Sequence, residues 1–441
     1  MLAKGQADGR RAMPARMDLF ARLVLFFILT YAATSLILEH VFGIIGFSKA
    51  PYLNAVAYLY TVAFLGFGFL YDRVTPRVFA PHPFAILILA ALLASAVIGI
   101  ANQNPAQYIV AWSFYVTVGV ITFQFFRNLR ELPRGIDGLF SLPVMAVVLA
   151  AAILSIFNRE NHYQYVLFEV IAIYAVLIRP RILEKLFGLA IYIAMHLGSN
   201  EGFVQVEINR ASILAIGTVG VIFLLYRRWI VVLFFVIFAS LGALSYALSL
   251  DDALVEDLPR NVKEAILLMK GDDIYRHTSS YQRIYEGEKV MEDFEGATNA
   301  ELLFGKGLGR TVDMTGAGDK TPGQHALLGA QAVHNIHFLH FAVLHKFGIA
   351  GLAILAALGV TLAGMFVTDL SRRRLTDGSM FFYFYLIYNF VFATPASNFL
   401  IANPLWPAFF GLLCRLRHEA RVARVNTVGP AALTATIASG R

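Results

Sequence analysis

Cysteine occurs once in the 441 residues, at Cys414. No intramolecular disulfide can form, so every polar segment must fold without a covalent staple. Charge is also scarce. Asp, Glu, Lys and Arg make up 15% of the chain and hydrophobic residues 58%, and the mean hydropathy is +0.65. Soluble domains carry about a quarter charged residues. The shortage excludes an ordinary water-soluble fold and points to a polytopic membrane protein. No small-residue cleavage site follows the first apolar run, which starts near Leu19 and is long enough to span, so a cleavable signal peptide is not expected. No repeat of fixed period is evident, and the two halves differ in loop length, which weakens an inverted-repeat transporter reading. The net charge of +7 does not point to nucleic acid, because the basic residues sit in particular short loops.

A membrane-spanning helix needs about 20 apolar residues. Runs suited to this cover residues 19–38, 52–71, 84–100, 108–126, 139–157, 163–178, 182–197, 211–226, 229–248, 348–367, 380–396 and 399–416. The expected fold is therefore all-α, a polytopic membrane bundle of about twelve transmembrane helices. The seventh run contains Glu184 and Lys185, and the twelfth contains Pro404 and Pro407, which can break it. Orientation follows from Lys and Arg. Lys4, Arg10, Arg11 and Arg16 precede the first run. Arg73 and Arg77, then Arg127, Arg130 and Arg134, then Arg179, Arg181 and Lys185, then Arg227 and Arg228, then Arg372, Arg373 and Arg374, then Arg415, Arg417, Arg421 and Arg424 occupy alternate loops. The intervening loops hold few: Lys49, Arg159 and Arg210. Both termini are expected in the cytoplasm. The expected organisation is a cytoplasmic segment 1–18, helices over 19–249, one large outer loop region over 250–333 that itself contains helices, helices over 334–416, and a cytoplasmic tail 417–441 that reads as disordered beyond Arg424.

The outer segment carries most of the acidic residues. Within it, residues 281–294 fit a helix, with Ile284, Gly287, Val290, Met291 and Phe294 at three- and four-residue steps and acidic residues between them. Such a helix lies against the membrane or the bundle; an ordinary solvated helix is the alternative. Gly305-Lys306-Gly307-Leu308-Gly309 is not a phosphate-cradling loop, since no Lys-Ser/Thr pair follows at the required spacing. Read alone it is a flexible turn.

Arg210 stands at the head of a span on the side poor in basic residues. A guanidinium there presents a rigid fork to phosphate oxygens; the alternatives are snorkelling to headgroups or pairing with Glu207 or Glu201. Arg283 alone suggests a surface ion pair with Glu286 or Glu288. His334, His337, His340 and His345 cluster where the polar segment re-enters the membrane. Steps of three would put neighbouring pairs on one helical face. Catalytic zinc wants three protein ligands, and no Cys, Asp or Glu accompanies these histidines in the run. A neutral imidazole acting as general base is the better functional reading; a wet interfacial helix end is the plain structural one.

Together these places resemble the O-antigen ligase and polymerase superfamily of bacterial envelope glycosyltransferases. Asn209-Arg210-Ala211-Ser212 looks like the family's Ser-Arg-Gly-type motif, with Asn and Ala in place of its Ser and Gly. Gln282-Arg283-Ile284, its helix, and Phe304-Gly305-Lys306-Gly307-Leu308-Gly309 look like the Arg-containing loop helix and Gly-rich turn. His334-Asn335 with Gly348-Ile349-Ala350-Gly351 looks like the His-Asn…Gly-x-x-Gly motif. The family usually leaves nine residues between Asn and the first Gly; here there are twelve. Counting back from Gly348 puts the family His at His337, with Phe338 in the Asn place. The His-Asn pair puts it at His334. Both stay open, with His337 favoured by register.

The resemblance implies a metal-independent, cofactor-free transfer at the periplasmic face of the bacterial inner membrane. The donor is a glycan linked through pyrophosphate to a polyprenyl carrier. The acceptor is a glycan hydroxyl, as in a polymerase of surface polysaccharide repeat units, or lipid A core, as in an O-antigen ligase. A protein acceptor is a third variant. Membrane lipids, and other polysaccharide-assembly proteins, are the further partners the family allows. Arg210 and Arg283 would bind the pyrophosphate, and His337 or His334 would serve the acceptor hydroxyl. A twelve-span transporter or flippase is the competing class. It predicts ionisable residues within spans, where Glu169 and the Glu184–Lys185 pair are the candidates.

Overall fold

A computed structural model describes residues 19–44, 50–70, 82–129, 136–157, 162–200, 203–206, 210–256, 258, 260–272, 278–314, 332–395, 400 and 403–438. Arg73, Arg77, Arg130, Arg134, Arg159, Lys49, Glu201, Glu207, Asn209 and the N-terminal basic residues lie outside them, so the charge alternation of the loops is compared only in part. The long helices are α1 (Leu19–His40), α2 (Ala50–Leu70), α3 (Pro83–Ala101), α4 (Ala106–Arg127), α5 (Leu142–Phe157), α6 (His162–Leu177), α7 (Ile182–His196), α8 (Arg210–Arg227) and α9 (Ile230–Ser249). Four helices of the polar segment follow: α10 (Asp252–Glu256), α11 (Arg260–Met269), α12 (Thr278–Asp293) and α13 (Asn299–Phe304). The chain closes with α14 (Leu339–Ser371), α15 (Asp377–Ala393) and α16 (Leu405–Ala438). Each of the twelve apolar runs overlaps an α-helix. Among the described residues, five of these are long and apolar enough to cross a membrane: α3, α4, α8, α9 and α14.

Two expectations are corrected here. The tail beyond Arg424 is not irregular, because α16 continues to Ala438. The twelfth run is interrupted, as its prolines allow: Leu400 is helical, Asn403 and Pro404 are not, and α16 starts at Leu405. Pro404 precedes it and Pro407 falls in its first turn, where no intrahelical amide bond is lost. The run placed at 348–367 begins earlier, at Leu339, and the helix is interrupted at Gly348 (φ +63, ψ −157).

The chain divides into two compact units, one of residues 1–60 and 131–205, the other of 61–130 and 206–441. In the first, α7 packs on α6 at Gly188, where a Cβ would meet Ala175 Cβ at 2.8 Å and the Ala172 carbonyl at 2.9 Å. At the α6–α7 turn, Arg179 pairs with Glu184 at 2.8 Å and Asp137 at 2.5 Å and lies 5.0 Å over the Phe140 ring. Glu184 is thus a structural partner. Two short strands, β1 (Leu197–Asn200) and β2 (Phe203–Val206), pair beyond α7.

In the second unit, α16 packs along α4. Gly411 lets the backbones approach, since a Cβ there would lie 2.6 Å from the Phe123 carbonyl, and Phe123 stacks on Phe410. Helix α9 buries none of its residues although it is apolar on every side. Water does not tolerate such a helix, whereas a bilayer does.

The polar segment is fastened to the bundle through backbone at its glycines. Gly305, Gly307 and Gly309 all have φ between +82 and +89. Lys306 N–H donates to the His345 carbonyl (2.8 Å) and Leu308 N–H to the Ser95 carbonyl (3.1 Å). Asn104 Nδ2 donates to the carbonyls of Lys306 (3.1 Å) and Leu308 (3.0 Å). A Cβ on Gly307 would lie 2.3 Å from Gly99 N, and one on Gly348 2.4 Å from Gly305 N. The turn that read as flexible is therefore held on two sides. Strands β3 (Val312–Asp313) and β4 (Ala332–Val333) pair antiparallel beyond it.

Gly348→Ala combines a left-handed backbone with that overlap. It is expected to destabilise by about 2 kcal/mol or more, read as a lower midpoint of thermal unfolding in detergent. Gly364→Ala, in the same helix with nothing within 4 Å of the new Cβ, is expected to be neutral or stabilising by up to about 1 kcal/mol. Equal losses in both would refute the junction.

Candidate functional site

Helix α12 carries the centre of the site. Its inward face is Tyr281, Gln282, Tyr285, Glu286 and Val290, all buried. The tyrosines and Val290 pack with Val312, Met314, Ile336 and Ala342. The sequence pattern had put Ile284 and Met291 on that face, but both are exposed. Gly287 is required there, since a Cβ would lie 2.6 Å from the Phe341 ring.

Glu286 is fully buried and accepts from Gln282 Nε2 (3.0 Å) and the His337 backbone N–H (2.8 Å). Its Oε1 lies 2.8 Å from His337 Nδ1. A proton on Nδ1 completes this bond and leaves Nε2 as the basic nitrogen. The His337 side chain is 36% exposed. His337 is not on a helix, however. The segment 334–338 precedes α14, so the three-residue spacing of the histidines does not place them on one helical face.

One turn before Glu286 stands Arg283. Its Nε is buried and has no hydrogen-bond acceptor among the described residues. The ion pair expected with Glu286 or Glu288 is not formed. Burial, and then the nearby Arg210 guanidinium, push the Arg283 pKa down, while Glu286 and Glu264 act the other way. Arg210, first residue of α8, donates from Nη2 to Glu264 of α11 and from Nη1 to Ser280 Oγ at 3.2 Å. The partner expected for it, Glu207 or Glu201, lies outside the described residues.

His334 sits at the other end of the cluster. Its ring stacks on Tyr108 at 3.9 Å and 11°, and its carbonyl accepts from Lys346 Nζ at 2.8 Å. Burial first, and then the charge of Lys346, lower its pKa to about 4. Behind it, His345 Nε2 lies 2.9 Å from Asp293 Oδ2, and Arg310 grips the same carboxylate through two nitrogens. Burial opposes the Asp293 charge, but the bonds from His345 and Arg310 hold its carboxyl well below the usual range. His340 belongs to an aromatic group with Phe338 and Phe341 instead. Among the described residues no three metal-ligating side chains converge. Nearby, an apolar cavity of about 180 Å³ opens between α3, α4, α14 and α16, lined by Ile88, Val120, Phe123, Phe347, Trp406 and others.

The structure thus pairs Arg210 with Glu264 and His337 with Glu286, sets Arg283 one turn before Glu286 on α12, and bonds Lys346 to the His334 carbonyl. Sequence reasoning missed Glu264, Glu286 and Lys346. A lysine inside the apolar stretch 338–367 was the one signal available for the last. No protein-family model matches the chain, and no curated protein matches it either.

The His334 shift makes stability depend on pH. The unfolded chain takes up this proton near pH 6.5 and the folded one near 4. Between those values acid favours the unfolded chain, so stability rises with pH across the window. Thermal unfolding in detergent is expected at lower temperature at pH 5 than at pH 7. His334→Phe, which keeps a ring on Tyr108, narrows the difference. An unchanged difference in the variant would assign the titration elsewhere.

Proposed function

We propose that the protein is a membrane glycosyltransferase of the O-antigen ligase and polymerase type. It transfers a glycan from a polyprenyl pyrophosphate carrier to an acceptor hydroxyl and thereby polymerises surface polysaccharide repeat units. On this reading the twelve long helices cross the bacterial inner membrane, both termini are cytoplasmic, and the site faces the periplasm. The observation that carries the reading is Arg283. A guanidinium whose buried Nε has no acceptor among the described residues, and on which a second guanidinium acts, has a donor open to an anion. Pyrophosphate offers several oxygens to such a pair. The apolar cavity beside the site suits the start of an isoprenoid chain.

In the transfer, the acceptor oxygen attacks the anomeric carbon and its proton passes to His337 Nε2, with Nδ1–H held by Glu286. The anomeric C–O bond to phosphate breaks. The pyrophosphate leaves on its carrier, and Arg283 and Arg210 stabilise the charge gathering on it. Sugar hydroxyls are weak nucleophiles, so the fixed position of His337 matters as much as its basicity. Transport is the second reading. One observation favours it: Glu169 and His196, both buried, lie 3.0 Å apart between α6 and α7, the kind of ionisable pair a coupled transporter uses.

The test is the envelope polysaccharide of a deletion strain complemented with each variant and resolved by gel. Arg283→Ala, Arg210→Ala and His337→Ala are each expected to lower transfer by about 10²-fold or more, leaving core plus a single repeat. Bare core with carrier-linked polymer accumulating would mean ligation instead. Wild-type polysaccharide from all three, at normal protein levels, would reject the transfer reading in favour of transport.

A further inference from the structure

Helix α11 presents two unlike faces. On one side Val262 is 39% exposed and Met269 52%, with half-buried Ala265 between them at helical spacing. Leu254 of α10 is 55% exposed as well. Glu264 stands two positions from Val262 and so about 200° around the helix. It is buried and accepts the bond from Arg210. One face of α11 is thus turned to the candidate site, and the other is an open apolar stripe.

Two lysines fix where that stripe lies. Helix α9, apolar on every side and with none of its residues buried, ends at Ser249. Lys270 Nζ donates to the Leu250 carbonyl, one residue beyond α9, and to Asp252 Oδ1 at 2.9 Å. Lys263 pairs with Glu256 of α10. These bonds strap α11 across the end of α9, so its open stripe begins where the bilayer-facing surface of α9 stops.

We propose that α10 and α11 form a membrane-surface element, in which Leu254, Val262 and Met269 enter the lipid leaflet from which α9 emerges. A stable protein interface needs about 20–30 residues a side, far more than this stripe supplies. A lipid surface needs no such complementary partner and takes an amphipathic helix by its apolar side. Entry strips no charge of its partner, because Lys263 and Lys270 are paired with α10 and Glu264 with Arg210. The consequence falls on Arg210. Its carboxylate partner rides on a helix whose depth is set by lipid, so the guanidinium is held near the level of the headgroups. That is where a lipid carrier presents its pyrophosphate, a clause that alone rests on the transferase reading.

Nitroxide labels on single cysteines test the element in the full chain, reconstituted in bilayers of phosphatidylethanolamine and phosphatidylglycerol. Cys414→Ser removes the one native thiol. In that background the Val262→Cys and Met269→Cys labels are expected to be more accessible to oxygen than to an aqueous nickel chelate. Their expected depth is about 5–10 Å into the boundary of headgroups and acyl chains. Phe235→Cys on α9, 71% exposed, marks the value in lipid, and Glu292→Cys on α12 marks the value in water. A label at either stripe position that reads like Glu292→Cys overturns the proposal. Labels closed to both reagents overturn it as well and report a protein or a second copy on the stripe. Where either variant does not fold, Leu254→Cys takes its place with the same expected reading. Lipid-side labels in a protein whose Arg210→Ala variant makes normal polysaccharide support the surface element and reject the transferase reading alone.

Discussion

The arrangement depends on close backbone contact at four glycines. Gly305 and Gly307 approach Gly348 and Gly99 so closely that no side chain fits between the chains. That contact brings Lys306 N–H to the His345 carbonyl and Leu308 N–H to the Ser95 carbonyl. Each such bond contributes only about 1 kcal/mol net. Their larger effect is geometric. They place the polar segment against α3 and against the break in α14, which fixes the height of α12 beside the histidine segment. Loss of the junction would separate Glu286 from His337 with neither residue altered.

Electrostatics then sets the order of side chains along that contact. Arg210 is paired with Glu264 and His337 with Glu286, and Arg283 stands one turn before Glu286 on α12. Buried ion pairs are poor sources of stability, because desolvation cancels much of the attraction. A buried guanidinium nitrogen with no acceptor among the described residues is poorer still. On the proposed reading, the anion it would bind explains such an arrangement better than stability does. Asp293, with its two cationic partners, is the contrast: its charge is fully satisfied, and it ties α12 to α14 and the strand segment.

The helices were legible because an apolar run of spanning length has few alternatives, and each of the twelve runs overlaps an α-helix. Less of the site could be read. Arg210 and Arg283 were singled out, but the partners imagined for them were neighbours in sequence, whereas Arg210 finds Glu264, 54 residues away. Periodicity failed on α12 because it ranks residues by apolarity. Here the inward face holds Tyr281, Tyr285 and Glu286, and Ile284 points outward. The histidine spacing misled for a simpler reason: it assumed a helix that starts only at Leu339.

The Gly-rich turn shows why a motif can be visible and its meaning hidden. Alternate glycines in sequence indicate backbone freedom, and freedom suggests flexibility. In the fold the same property permits left-handed dihedrals and contact with another backbone, which produces the opposite result. The choice between these outcomes depends on whether a matching small residue waits on the partner. Gly99 and Gly348 are that match, roughly 200 residues before the turn and 40 after it. Nothing local to the turn could reveal them. Glu286 and His337 are likewise 51 residues apart, so this part of the candidate site is written in contacts that close only when the polar segment docks.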